Sequence, residues 1–565
     1  MHPLMLLGLS ALQLLRGAQL PLRLPPVQNP DSQWQDLNAR PDANWTGNLI
    51  FDTVNSFLQH WPNTRYRNGH NVVPATVPVN TLLYHGRDDD KLPAVPEWTS
   101  TDPEHSWPFC SAPPTNESIT GCWQLTLVTS RPLKVLYFDG SSAANIQEGG
   151  PMDAQDLLIW GEVNPERWVD ERDRIDDLCM WGKEFGIDGY LRMEMDFEIM
   201  LCDFSSNGGV ELLAADYLAA WRAQISSPPG RPKAPAAVYS QDPRGVEMIA
   251  PDPGGFPVAD LLRFETVHAG SWHNRYPGDT RIVLDLSRLI SFYDTSLAPS
   301  LIPSRAGQQR WDHRLHNISA SDLVAVKTRL EEALTSKDNA GSGIDWQTLY
   351  HVIVDRYADR LELLQYLLNT TNSLNIHDRA RIMQTQLRII LAPYIPFTAR
   401  PVPVNASTTS SNDSWANPVW QACATRHTAY IHGRSTLKSQ LTASELVLLR
   451  ALDETTREIC RVLTRMWVHG VHAGLDPLIL LDPASTPSAH ISSVVDAWRM
   501  EVRELMNWLD WSVWVKCRPT CGPEELCYLP TWPWFYNRDS PNDAWKRPQP
   551  RCIRRFGPYS PLQAA

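Results

Sequence analysis

Apolar positions along the chain change their spacing near residue 308. Before that point, short runs of β-branched, aromatic and aliphatic residues are bounded by Gly, Pro, Asp and Asn. They predict strands over residues 81–85, 123–128, 134–138 and 191–202, with a further strand at 280–286. Beyond it the apolar residues recur with a helical period. Ser319 and Asp322 form a capping start for a helix running to about Leu334. Asp345 caps the next, whose stripe is Trp346, Leu349, Ile353, Tyr357, Leu361, Leu364 and Leu368. Thr442 with Glu445 opens a third helix, and Val495, Trp498, Val502, Leu505 and Leu509 stripe a last one. Residues 226–237 and 401–418 are rich in Pro, Ser and Asn and read as exposed segments. The pattern predicts an α+β protein: a mixed α/β domain over 42–308 holding any active site, a helical domain over 309–516, and a Cys/Trp/Pro-rich tail over 517–565.

The first residues add a compartment. Residues 4–15 form an apolar run suited to a signal peptide ending near residue 18 and too short to cross a bilayer. No later run is long enough for a membrane span. Six N-x-Ser/Thr sequons lie at Asn44, Asn116, Asn317, Asn369, Asn405 and Asn412. The ten cysteines are even in number, as a disulfide-bonded chain requires. Together these features predict a secreted glycoprotein, extracellular or in a cell wall. Cys110 and Cys122 bracket a Pro-containing loop and are expected to pair. Cys517, Cys521, Cys527 and Cys552 match no zinc spacing and are read as two disulfides, while Cys179, Cys202, Cys423 and Cys460 are left unassigned. His469 and His472, without a third ligand nearby, read as ordinary helix residues.

Charge narrows the partners. The formal net charge of −12 leaves no basic excess for a phosphate backbone, which excludes nucleic acid. The 23 tryptophans supply flat aromatic surface for a core or for stacking on a ligand. A small molecule or a glycan is the expected partner, and the sequence specifies no oligomeric state.

Three segments carry candidate chemistry. Residues 81–86 run into Tyr84, His85 and Gly86. Residues 97–107 crowd hydroxyls and aromatics, among them Thr101, Ser106 and Trp107. Residues 187–202 hold Arg192, Glu194, Asp196 and Glu198, which share one face if the segment is one strand. Three carboxylates on one face need solvent, cations or a raised pKa. The order of these motifs over residues 61–204 resembles the His-type ADP-ribosyltransferase fold, in which a strand ends in Tyr-His-Gly and a late Asp-Gly-aromatic strand leads into Glu-Ile-Met-Leu. The resemblance implies NAD as co-substrate. His85 and Ser106 or Thr101 would hold its riboses, Tyr84 or Trp107 would stack on nicotinamide beside Gly86, and Glu198 would steady the cationic sugar.

Two other readings stand beside it. A glycoside hydrolase would use two of Glu194, Asp196 and Glu198, or one of them with Asp139 or Glu265. A non-catalytic wall protein would use the tryptophans at 508, 511, 514, 532 and 534 on carbohydrate. The sequence Asp139-Gly-Ser-Ser142 reads as a tight turn, and His268, Trp272, His273 and Arg275 read as a pocket floor or a structured loop. Over most of its length the chain also resembles a set of secreted proteins of filamentous fungi without assigned activity. The shared segments are 61–70 (WPNTRYRNGH), 135–144 (VLYFDGSSAA) and 527–533 (CYLPTWP).

Overall fold

The computed structural model describes residues 34, 36–42, 44–110, 121–194, 196–218, 239–241, 247–249, 274–336, 341–370, 375–401, 413–479, 488–529, 531 and 547–554. The leader, residues 226–237, the sequons at Asn116, Asn405 and Asn412, and Glu265, His268, Trp272, His273, Trp532 and Trp534 lie outside these residues. So do residues 402–412 of the 401–418 segment.

The architecture is α+β. One mixed sheet is built from β1 (Asn71–Val77), β2 (Leu82–Arg87), β3 (Glu97–Ser100), β4 (Cys122–Thr129), β5 (Leu133–Phe138), β6 (Gly189–Met193), β7 (Phe197–Leu201) and β8 (Val210–Leu218). A separate ribbon pairs β9 (Tyr239–Gln241) with β10 (Glu247–Ile249), and two short strands, β11 (Val283–Leu284) and β12 (Ile290–Ser291), edge β1. The sheet order is β11-β1-β5-β6-β7-β3-β2-β4-β8. Within it only the β5–β6 pair is parallel. Its crossover carries α4 (Asp153–Ile159) and α5 (Glu171–Lys183).

Two expected strands take another form. Residues 191–202 make a hairpin: β6 stops at Met193, the Glu194 amide donates to the Asp196 carbonyl at 3.2 Å, and β7 returns from Phe197. The turn removes Glu194 and Asp196 from the row and sets Arg192 opposite Glu198, a cross-strand pair of opposite charge. Segment 280–286 shrinks to β11 and a helical turn over Leu286–Arg288. Pro74 in β1 has no N–H to donate, so pairing there splits into two short pieces on either side of it.

Helices follow the capping signals. Ser319 accepts from the Asp322 amide at the start of α6 (Ala320–Thr335), and Asp345 accepts from the Thr348 amide at the start of α7 (Trp346–Asn369). Asn375 caps α8 (Ile376–Leu391), and α9 (Asn417–Thr425) begins at the end of the segment expected to be loop, with Pro418 in its first turn. Thr442 and Glu445 form a reciprocal capping box for α10 (Ala443–His472), and α11 (Ser488–Leu509) follows. At the N-terminal side α1 (Gly47–Ser56) and α2 (His60–Thr64) precede the sheet, and α3 (Pro103–Ser106) follows β3.

Alternation along the strands divides the interior. On β5, Leu133, Val135 and Tyr137 join a large core shared with α1 and α7 to α11, while Leu136 and Phe138 join a second core against α4, α5 and α6. The sheet is thus the middle of three layers, and its larger core is continuous with that of the helices.

All ten cysteines are paired: Cys110–Cys122, Cys179–Cys202, Cys423–Cys460, Cys517–Cys527 and Cys521–Cys552. The first pair and the two tail bridges match expectation. The tail also pairs β13 (Glu525–Tyr528) with β14 (Arg551–Arg554). Asn44, Asn317 and Asn369 are exposed. Among the described residues no helix is long and apolar enough to cross a membrane.

Candidate functional site

The residues singled out from the sequence lie on neighbouring strands but do not converge. Register sets Tyr84 opposite Ser100 and Ser100 opposite Glu198, so these three share one sheet face, and His85 alternates to the other. The β3 strand separates the two. His85 is buried, with its Nε2 3.2 Å from Glu97 Oε2. The hydrogen bond with His85 is the main cause holding the Glu97 carboxyl below its ordinary range. Trp98 and Phe204 flank the same ring.

Glu198 is closed off differently. Arg192 Nε donates to its Oε1 at 3.0 Å, and the same guanidinium reaches Glu171 and, at 3.2 Å, Gln155. Glu171 also meets Arg174 at 3.3 Å, and Arg174 meets Asp156 at 3.1 Å. Arg192, Arg174 and Glu198 are all buried. This face is therefore dry, with each charge paired inside the network and not solvated. Glu194 is half-buried at the hairpin turn.

Ser106 donates to the Pro103 carbonyl at 3.0 Å and accepts from Gln124 at 2.7 Å. Thr101 is fully buried. Trp107 packs on the Cys110–Cys122 bridge. A nicotinamide nucleotide does not fit here. A Cβ on Gly86 would lie 2.2 Å from the Ser106 carbonyl oxygen, so this glycine admits the α3 backbone and leaves no cradle for a ligand. Beyond the turn, Arg281 bonds Asp102 and Asp279 at 2.8–2.9 Å. Asp196 lies buried beside them, and burial first, then the Asp102 charge, pushes its carboxyl well up.

An open cleft of about 810 Å³ lies elsewhere, between α1, the 308–313 turn, the end of α11 and the tail. At its floor the Tyr66 hydroxyl donates to Asp510 in a short hydrogen bond. Arg65 Nη2 donates to the other oxygen of Asp510 at 2.8 Å, and its Nη1 to the Asp510 carbonyl at 3.2 Å. Asp510 follows the last turn of α11 with φ +46°, a left-handed backbone that strains a non-glycine residue. The guanidinium of Arg310 stacks 4.2 Å from the Tyr66 ring centre and donates to the buried Asp52 at 2.7 Å. Burial pushes the Asp52 carboxyl up against the pull of Arg310, and Ser512 donates to it through its amide at 2.9 Å. Trp311 packs on Tyr66 with ring centres 4.5 Å apart, and half-buried Trp508 and Trp514 complete the aromatic lining. Among the described residues of the expected aromatic tail, Trp508, Trp511 and Trp514 all line the cleft, Trp511 buried and the other two half-buried against the core.

Behind Tyr66 and Arg310 sits a polar chamber of about 20 Å³, room for a single water. Asp139 forms part of its wall, accepting from the amides of His70 and Asn71 at 2.7 Å each. Burial outweighs these bonds and lifts the Asp139 carboxyl to about 6. His313, which hydrogen-bonds Tyr293 at 3.2 Å, is lowered to about 4 by burial. Residues 139–142 are the expected tight turn, with Gly140 at φ +75° against the Arg67 carbonyl. No metal set is formed by these residues. The clusters of ligand type found among the described residues are the tail cysteines, whose sulfurs are already bonded to one another.

Sequence reasoning missed Arg65, Tyr66, Arg310 and Asp510 as a group. A signal was present in the segments that carry the fungal resemblance: 61–70 supplies Arg65 and Tyr66, 135–144 supplies Asp139, and 527–533 reaches the first of these through the Thr531 carbonyl, 3.5 Å from Arg67, and Tyr528, edge-on to Trp61.

Comparison with known proteins supports the fungal likeness, though not its secreted character. A family model described as the YPL277C N-terminal domain matches residues 113–231, from before β4 to beyond β8. The chain is 25% identical over 555 residues to the uncharacterized protein YOR389W of Saccharomyces cerevisiae, covering 86% of this chain and 81% of that protein. It is similar to uncharacterised fungal proteins. A second yeast relative, uncharacterized protein YPL277C, is 27% identical over 397 residues, 58% of this chain and 76% of its own. Coverage on that scale takes in sheet and helices together. No solved structure matches the chain.

Proposed function

We propose that this is an exported, glycosylated protein that binds a carbohydrate in the cleft floored by Tyr66 and Asp510. One observation carries the reading: an open space of about 810 Å³ lined by Trp311, Trp508 and Trp514 beside fixed charged groups. Sugar rings present apolar C–H faces and hydroxyl edges, and such a lining offers a partner to each. The volume lies within the usual range of ligand sites, about 300–1,000 Å³. Five disulfides and exposed sequons support the exported compartment.

Binding is preferred to hydrolysis because Asp510 is the one carboxylate among the described residues that line the cleft, whereas glycoside hydrolysis needs two across the scissile bond. Asp52 lies behind Arg310 and Ser512, 1% exposed, where no substrate oxygen reaches it. Transferase chemistry has less support still, since Glu198 is neutralised by Arg192 and faces away from His85.

The test is a glycan array and tryptophan-fluorescence titration of the full-length protein, with assays for reducing-sugar release and for nicotinamide release from NAD. Saturable binding of a saccharide class, weakened at least tenfold by Trp311→Ala or Trp508→Ala without release of product, is the expected result. Turnover of either substrate, or binding untouched by both substitutions, overturns it.

A further inference from the structure

The cleft is positively lined on a negatively charged protein. Among the described residues its charged lining is Arg65, Arg310, Lys516, Arg518 and a single acid, Asp510, against a net charge of −12 for the chain. Local pairing does not cancel the excess at the mouth. Arg65 is matched by Asp510 at 2.8 Å and Arg310 by Asp52 at 2.7 Å. Lys516 and Arg518, however, both lean on one carboxylate, that of Glu362. Two cations sharing one anion leave a full positive charge, and both side chains are about half exposed, at 48% and 52%. They stand beside Trp514 along the same wall. A neutral sugar has no use for this charge. A ligand with an anionic group would gain charge-assisted hydrogen bonds from it while its ring lay on the aromatic lining.

Resting on the carbohydrate reading above, we infer that the cleft selects acidic saccharides, with their carboxylate or phosphate held by Lys516 and Arg518 and the sugar ring by the tryptophans. Arg310 does not compete for the anion, since it is held under the Tyr66 ring and by Asp52 and Thr53. Selectivity therefore resides at the mouth, and it fades with salt because exposed charges are screened over about 8–10 Å at physiological ionic strength.

Calorimetric titration of the full-length protein tests this with five probes: an oligogalacturonate, a phosphorylated manno-oligosaccharide, laminari- and chito-oligosaccharides of matched length, and inorganic phosphate. One or both acidic oligosaccharides should bind at least tenfold more tightly than the neutral ones, and which of the two binds assigns carboxylate or phosphate. That advantage should shrink at least threefold between 20 and 300 mM NaCl, and Lys516→Gln with Arg518→Gln should abolish it while neutral-sugar binding persists in a protein that still unfolds cooperatively. Arg131→Gln, an exposed cation outside the cleft, should change nothing. Equal affinity for neutral and acidic oligosaccharides overturns the acidic preference and leaves the carbohydrate reading standing. Silence from all four saccharides overturns both. Inorganic phosphate binding as tightly as the phosphorylated saccharide overturns the role given to the sugar.

Discussion

Two charged regions of this protein differ in one respect that decides what each can do. On the sheet, Arg192, Glu198, Glu171, Arg174 and Asp156 are linked in one chain of contacts, with the arginines and Glu198 cut off from water. At the cleft, Arg65, Tyr66, Asp510 and Arg310 are linked as tightly, yet their edge faces an open space. A closed network has spent its hydrogen-bonding capacity on itself, and its role is to fix the pairing of strands and helices. An open one keeps donors and charge for a ligand. Acidic clustering in the sequence marked the first region, and only the fold distinguishes it from the second.

The comparison is tested most severely at Arg192. Removing it strands Glu198 and weakens Glu171 in a dry interior, so Arg192→Ala is expected to lower unfolding free energy by about 3–5 kcal/mol. Urea denaturation with disulfides intact measures it. The double change Arg192→Met with Glu198→Leu should recover most of that loss, because it removes both buried charges and not one. A loss below about 1 kcal/mol for the single variant would mean that the face is wet and belongs with the cleft.

A smaller effect separates the regions by pH. His105, fully buried in α3 beside the sheet, is lowered to about 4 by burial, whereas an unfolded histidine titrates near about 6.5. The unfolded chain therefore binds the proton first. The stability contributed by the neutral ring is whole above about pH 6.5 and is lost as pH falls towards 4, by at most about 3 kcal/mol. His105→Leu should flatten that acid limb while costing about 1 kcal/mol at pH 7. Asp139, in the chamber behind the cleft, has the opposite sign. Its carboxyl is raised to about 6 from about 3.9 in the unfolded chain, so the folded state takes up the proton first and gains stability as pH falls from 6 to 4. Asp139→Asn should steepen the acid limb. Identical slopes for wild type and both variants in a pH series of urea unfolding would remove the assignment.

These regions also show what the sequence makes legible. Ser319, Asp345, Thr442 and Glu445 announced their helices because capping is a contact between residues three apart, and period and cap agree locally. The Cys110–Cys122 bridge was legible for the same reason. The hairpin at 194–196 was not, because alternation continues in the letters while the chain reverses, and only pairing of Arg192 with Glu198 shows the turn. The candidate site was least legible. Arg65, Arg310 and Asp510 are separated by 245 and 200 positions, and no spacing rule links residues brought together by the packing of sheet, helix and tail. What the sequence did carry was a hint in the segments at 61–70 and 135–144, read as likeness without chemistry.

The smallest expected change in stability is the sharpest probe of the comparison. Lys516 meets Glu362 at 2.8 Å with 48% of its side chain exposed, and such pairs contribute about 0–1 kcal/mol. Arg518 remains to neutralise Glu362 when Lys516 is removed, so Lys516→Ala should leave the urea midpoint nearly unmoved, with a loss under about 0.5 kcal/mol. In the closed region the loss of Arg192 is not so mild, because it leaves Glu198 without a counter-charge and without water. A drop of more than about 2 kcal/mol for Lys516→Ala would show that the mouth of the cleft holds the fold together no less than the sheet network does. Charge at the mouth that can be removed without disturbing the fold is charge that the fold does not need.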